Sequence, residues 1–185
     1  MSNIQYEEYG KRVHTCEKLH SVRKFIGDKM SESLETIPQA SPYFELETDA
    51  LLSAKNTLKA HNPNVTVTSA VARIMATILR DYPLLNSAVI DGNLVTYASC
   101  NVGVGVGLDK GIMMTVIREA QEKDVFAISD ELKEKTDQLK KGLLPLNEMK
   151  GSTFTISSIG VQGIRYSTVI INPPETAMLA IGVTE

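Results

Sequence analysis

The residues in this sequence that could do chemistry fall into a few small groups. Ser157 and Ser158 close the β-branched run Thr153–Ser158 just before Gly160, where a strand-end hydroxyl can face a cleft; the plainer alternative is a serine that satisfies a nearby backbone group. Cys100 offers a thiol, but nothing basic lies near it in sequence, so it reads as a small buried residue. His14, Cys16 and His20 have the spacing H-x-C-x3-H, which matches no standard zinc pattern and has no fourth ligand nearby. No metal is therefore expected. Gly103, Gly105 and Gly107 alternate with valines and do not satisfy G-x-G-x-x-G, and no Walker lysine follows. Period-2 valine with intervening glycine instead suits a strand passing close beneath a neighbour or lining a narrow channel. Arg23 lies in the first turn of a predicted helix, the end where a cation is disfavoured by the helix dipole. It is either a surface arginine or one held there by a buried acid.

These groups need elements to position them. The stretch from Gly151 to Gly182 holds three apolar runs, Thr153–Ser158, Thr168–Ile171 and Ala177–Val183, between glycines and the Pro173-Pro174 pair. They read as three short buried strands, the last of them interior to a sheet. Upstream, Ser21–Glu35 has helical spacing with Ser21 as its N-cap. Pro42–Thr48 alternates as a strand, with Tyr43, Glu45 and Glu47 on one face and Phe44 and Leu46 on the other. Thr48 can cap a helix carrying Leu51, Leu52, Ala54 and Leu58, and Asn62-Pro63-Asn64 is a turn. Thr66–Arg80 is the strongest helix, with an apolar stripe of Val71, Ile74, Met75, Ile78 and Leu79. Asp91-Gly92-Asn93 joins Ser87–Ile90 to Leu94–Ala98 as a hairpin. The valine–glycine strand turns at Asp109-Lys110-Gly111 into Ile112–Ile117, and a helix over Val125–Lys141 ends at Gly142. The order predicts an α/β sandwich in one domain, 21–185, behind an N-terminal arm, 1–20: a mixed sheet of roughly six strands with helices packed on it.

Composition limits the function classes. The sequence has 185 residues, 43% of them hydrophobic and 22% charged, which suits a single soluble domain with a real core. A net charge of −3 without a cation cluster gives no reason to expect nucleic acid; the lysines of 133–141 interleave with acids as on a solvated helix face. No apolar stretch approaches the roughly twenty residues that span a membrane. MSNIQYEEYGKR lacks the apolar core of a signal peptide, and two cysteines make no disulfide framework. A cytoplasmic location is expected.

The segments SVRKFIGDKMSESLETIP, YPLLNSAVIDGNLVTYASCNVGVGVGLDKGIMMTVI, GSTFTISSIG and INPPETAMLAIG occur in the right order to carry a family resemblance. Together they resemble the catalytic domain of dihydrolipoamide acyltransferases, the core component of 2-oxo acid dehydrogenase complexes, with chloramphenicol acetyltransferases as more distant relatives. The resemblance covers residues about 18 to 183. It implies a chloramphenicol acetyltransferase-like sandwich and acyl transfer between a thiol of dihydrolipoamide and that of coenzyme A. In that chemistry a histidine of an H-x-x-x-D-G motif is general base to the attacking thiol, and a hydroxyl donates to the tetrahedral oxyanion. The two groups come from neighbouring subunits of a trimer. By resemblance Ser157 is the oxyanion serine, and Arg23 matches the arginine that pairs with the aspartate of H-x-x-x-D-G. Ser158, Asn172 and Gln162 are the candidates for the thioester channel. Coenzyme A or acyl-CoA and the lipoyl group enter as substrates, with no tightly bound cofactor, and a lipoylated carrier protein is an implied partner beside the homotrimer.

The sequence departs from the family at one point. Relatives place H-x-x-x-D-G beyond the INPP segment, and none of His14, His20 and His61 is followed by D-G at the required distance. Ser87 to Gly92 has the spacing with serine in place of histidine, and it falls in the ordinary LNS turn region. The lipoyl and subunit-binding domains usual upstream are missing, and so are the closing strand and helix over Ala177–Val183. Three readings follow. The histidine comes from another polypeptide; or the chain is a non-catalytic acyl-thioester-binding or scaffold protein; or it is part of a longer ordinary acyltransferase. Without the base, the chain alone is expected to lose roughly 10²–10⁴ in rate. An apolar last strand with an unpaired edge calls for a partner.

Overall fold

The computed structural model describes residues 14–19, 21–108 and 111–184. Most of the expected arm, with His20, lies outside the described residues, as does the turn at Asp109-Lys110. The chain forms α1 (Ser21–Thr36), α2 (Asp49–His61), α3 (Val67–Asp81), the hairpin β1 (Ser87–Ile90) and β2 (Asn93–Thr96), then β3 (Val102–Leu108) and β4 (Gly111–Ile117). After these come α4 (Val125–Lys140), β5 (Phe154–Ser158) and β6 (Met178–Ile181). Among the described residues no helix is long and apolar enough to cross a membrane.

Local chemistry explains several boundaries. Thr66 and Ser69 form a capping box that satisfies the first free N–H groups of α3. Asp124 accepts from the Ala127 N–H at 2.8 Å to start α4. Asp91 and Gly92 have φ of 49° and 75°, the two positive values a tight hairpin between β1 and β2 requires.

The sheet order is β4-β3-β5-β6, with β3 antiparallel to β4 and parallel to β5, and β5 parallel to β6. Val102 and Val104 of β3 and Phe154 and Ile156 of β5 pair in register and point to one face. There they pack with Ala72, Ala76 and Leu79 of α3 and Ile128 and Leu132 of α4 to make the core. Strand alternation sends Gly103, Gly105, Thr155 and Ser157 to the opposite face, away from the helices. The candidate serine is thereby placed where the core does not claim it.

Several expectations are corrected. The six strands do not share one sheet: β1 and β2 form a separate two-stranded sheet. Thr168–Ile171 is not a strand, because side chains hold its backbone instead of a ladder. The Ile171 carbonyl accepts from Ser33 Oγ at 2.6 Å, and its N–H donates to Gln39 Oε1 at 3.3 Å. The segment 42–48 keeps the expected side-chain alternation without strand pairing. Tyr43 meets Tyr166 edge-on at 5.9 Å and bonds Thr168, Tyr166 donates to Glu45, and Phe44 and Leu46 point to solvent. Ser21 is the first residue of α1 rather than its cap, and Thr48 stands at the N-cap of α2 without a capping bond. The buried face of α3 is Ser69, Ala70, Ala72, Ala76 and Leu79, and Ile74 of the predicted stripe is exposed. Small residues let α3 approach the sheet closely. Finally, among the described residues β6 is the last strand of its sheet, paired with β5 and half-buried along its length.

Candidate functional site

Ser157 is the register partner of Gly105 in β3 and of Ala180 in β6, so its hydroxyl rises between the two smallest neighbours a sheet can offer. A Cβ on Gly105 would lie 3.9 Å from Ser157 Oγ and 3.4 Å from Ile112 Cγ2. The gap opens into a cleft of about 360 Å³, lined among others by Gly105, Gly107, Ile112, Ser157, Ser158 and Gln162. The alternation of glycine and valine in β3 therefore serves two faces: valines fill the core and Gly105 and Gly107 clear the cleft. Among the described residues, the Ser157 hydroxyl has no hydrogen-bond partner, so it does not spend its proton on a backbone group.

The far wall is set by a close chain crossing. A Cβ on Gly160 would fall 2.1 Å from the Gly182 carbonyl oxygen, and one on Gly182 would fall 2.3 Å from that of Arg165. Only glycine allows this contact, which is fastened by Ile159 N–H to the Ile181 carbonyl at 2.9 Å and Val183 N–H to the Ile164 carbonyl at 3.1 Å. The short turn Gly160–Gln162 is thereby pinned over the end of β3, with Gln162 Nε2 3.9 Å from the Cβ position of Gly107.

Beside the cleft lies a buried carboxyl that the sequence patterns do not flag. Glu175 is 2% exposed, and its Oε1 accepts from Ser152 Oγ at 2.5 Å, Asn172 Nδ2 at 2.9 Å and Thr155 Oγ1 at 3.0 Å. Its Oε2 has no partner among the described residues. Burial pushes the carboxyl above its ordinary range, and the three donors pull it only part of the way back. Thr155 precedes Ser157 by one repeat on the same face of β5, so the cluster braces the strand that carries the candidate serine. The only signal in the sequence is an acid directly after Pro173-Pro174 in an otherwise apolar stretch.

The other sequence candidates are distributed differently. Ser158 and Gln162 line the cleft with Ser157. Asn172 bonds Glu175, and Ser152 at 3.5 Å, and is not among the cleft's lining residues. Arg23 is exposed on α1 and makes no hydrogen bond or ion pair among the described residues. Cys100 is 1% exposed, and burial pushes its thiol up, with Glu119 adding to the effect and Arg80 opposing it; it is a poor nucleophile. Neither described histidine, His14 nor His61, lines the cleft. The cleft can thus offer a hydrogen-bond donor to a developing oxyanion, and apolar walls, but no general base of its own among the described residues.

Comparison with known proteins gives a consistent picture. The family model described as 2-oxoacid dehydrogenases acyltransferase (catalytic domain) matches residues 11–185. The chain is 33% identical over 174 residues to the dihydrolipoyllysine-residue acetyltransferase component of the pyruvate dehydrogenase complex of Staphylococcus aureus, covering 91% of this chain and 40% of that protein. It is 32% identical over 166 residues to the mitochondrial counterpart of Dictyostelium discoideum, covering 89% of this chain and 26% of that protein. The chain thus spans less than half the length of these relatives. A truncated catalytic core of the 2-oxoacid dehydrogenase multienzyme complex from Thermoplasma acidophilum superposes with a TM-score of 0.87 at 33% identity, over 91% of this chain and 80% of that one. The sandwich is the chloramphenicol acetyltransferase-like fold of such cores. Sequence and fold agree, and the chain belongs to the family of 2-oxoacid dehydrogenase acyltransferase catalytic domains.

Proposed function

We propose that this chain contributes the oxyanion-stabilising side of a thioester acyl-transfer site acting between coenzyme A and a dihydrolipoamide-type thiol. The observation that carries the reading is the Ser157 hydroxyl, unbonded among the described residues, standing between Gly105 and Ala180 at the cleft. The attacking thiol adds to the thioester carbonyl carbon as its proton passes to a base. The carbonyl oxygen gains negative charge, which the Ser157 O–H stabilises by donating to it. Collapse of the tetrahedral species re-forms the C=O bond and breaks the old C–S bond, and the base returns the proton to the departing sulfur. The base is a histidine outside these residues, supplied by another chain, and Arg23 on the exposed side of α1 is free to receive the acid that accompanies it. Ser158 and Gln162 bind the thioester's polar groups along the cleft, and Asn172 acts on it through the Glu175 cluster.

A homotrimer is the assembly this reading requires. The exposed apolar side chains of Val89 and Leu94 support it, because a solitary subunit would leave them in water. A lipoylated carrier protein is the second partner. The free thiols Cys16 and Cys100 fit a reducing cytoplasm. The alternative reading is an acyl-thioester-binding or scaffold protein of the same fold.

The test is release of free coenzyme A from acetyl-CoA with dihydrolipoamide as acceptor, using the chain with and without the proteins encoded beside it. Activity only in the mixture, and lost with Ser157→Ala, establishes the shared site. Silence in every mixture, with acetyl-CoA still bound, gives the second reading.

A further inference from the structure

The acyl end of the cleft is shaped by what three residues leave out. Gly105 and Gly107 face it with no side chain, and Met114, the register partner of Gly105 on β4, does not stand over it. The Met114 methyl carbon lies instead against Gly103, 2.8 Å from where a Cβ there would sit. Any side chain at Gly103 would push that methyl back toward Gly105. Ile112 leans across, its Cγ2 3.4 Å from the Gly105 Cβ position. Leu108, Ile159 and Val161 extend the apolar wall, and no described lining residue carries a charge.

We propose that Gly105, Ile112 and the Met114 side chain folded onto Gly103 set the size of the transferred acyl group, admitting apolar chains longer than acetyl and rejecting those that end in a carboxylate. The inference rests on the reading that an acyl thioester sits with its carbonyl at Ser157. From there the group beyond the carbonyl carbon extends over Gly105 toward Ile112. An acetyl methyl leaves that floor wet, whereas a branched or longer chain covers it and removes apolar surface from water on both sides. A terminal carboxylate would be desolvated against that apolar wall, where no described lining residue offers a cation to pair it. Pocket discrimination is about tenfold or more for each methylene that fits or fails to fit.

The experiment is calorimetric titration of the assembled protein with acetyl-, isobutyryl-, hexanoyl- and succinyl-CoA, for the wild type, Gly105→Ala, Gly105→Val and Ile112→Ala. The wild type is expected to bind isobutyryl- and hexanoyl-CoA at least tenfold more tightly than acetyl- or succinyl-CoA. Gly105→Val removes that preference, weakening isobutyryl- and hexanoyl-CoA binding more than acetyl-CoA binding. Should the valine prevent folding, the alanine, whose Cβ meets nothing closer than 3.4 Å, gives the same trend at smaller amplitude. Ile112→Ala, at an exposed position, shifts the preference toward hexanoyl over isobutyryl. Equal affinity of the wild type for acetyl and isobutyryl thioesters, or equal loss of both in Gly105→Ala, overturns the inference and leaves the site at Ser157 intact. If no thioester binds, or if Ser157→Trp leaves all four affinities unchanged, the underlying reading falls and this inference falls with it.

Discussion

Ser157 and Gly105 are register partners across the parallel β3–β5 pair, and a Cβ on Gly105 would stand 3.9 Å from the serine hydroxyl oxygen. The hydroxyl is therefore held at a defined place on a strand, beside an empty position, with no hydrogen-bond partner among the described residues. A donor so placed can meet an oxyanion without first breaking a bond to the protein, the condition for preorganised electrostatic stabilisation.

On the proposed function, Ser157→Ala is expected to lower kcat of the assembled protein by about 10²–10³ while leaving stability within about 0.5 kcal/mol. Steady-state kinetics and a thermal melt, taken together, check this. A large drop in Tm with little change in kcat would mark the serine as a structural residue.

Neighbouring glycines of β3 should respond differently to the same methyl group. At Gly103 the added Cβ would fall 2.8–3.0 Å from Met114 Cε, Ser152 Cβ and Thr155 Oγ1, whereas at Gly105 it meets nothing closer than 3.4 Å. Gly103→Ala is expected to cost about 1–3 kcal/mol and Gly105→Ala less than about 1 kcal/mol. Urea midpoints of the two variants decide the matter, and equal costs would contradict the geometry.

Glu175 gives a signed pH dependence. Its carboxyl is raised above the ordinary 4.5 chiefly by burial, so the folded state holds this proton more tightly than the unfolded chain does. The associated stability is fully present below pH 4.5 and is lost as pH rises through the folded-state pKa. In that window the loss approaches about 1.4 kcal/mol per pH unit. Glu175→Gln keeps an acceptor for Ser152, Thr155 and Asn172 but cannot ionise, so its stability relative to the wild type should grow with pH across the window. Denaturant unfolding of both proteins over a pH series tests this; parallel curves would refute it.

Thr66→Ala removes the side-chain acceptor of the α3 capping box and is expected to cost about 1 kcal/mol. Because α3 packs Ala72, Ala76 and Leu79 against the sheet, the loss should appear as global destabilisation rather than local fraying. Hydrogen exchange at α3 amides reports which occurs.

Local signals carried much of this fold. The β-branched run ending in Ser157-Ser158, the Asp91-Gly92 hairpin and the Gly142 stop all act over a few residues, where sterics and hydrogen bonding depend on sequence neighbours alone. The placement of the serines at a strand end, and the valine–glycine alternation as a strand passing close beneath a neighbour or lining a narrow channel, were legible for that reason. Tertiary structure decided the rest. Period-2 alternation says that Gly105 and Ser157 each lie on one face of a strand, but not that the two strands pair in parallel with these residues side by side. The same limit explains Thr168–Ile171, whose composition favours a strand but whose Ile171 carbonyl and N–H are taken by Ser33 and Gln39 from a distant part of the chain. Glu175 shows it most clearly. A glutamate is ordinarily a surface residue, and only the convergence of Ser152, Thr155 and Asn172 on one carboxyl oxygen makes its burial tolerable.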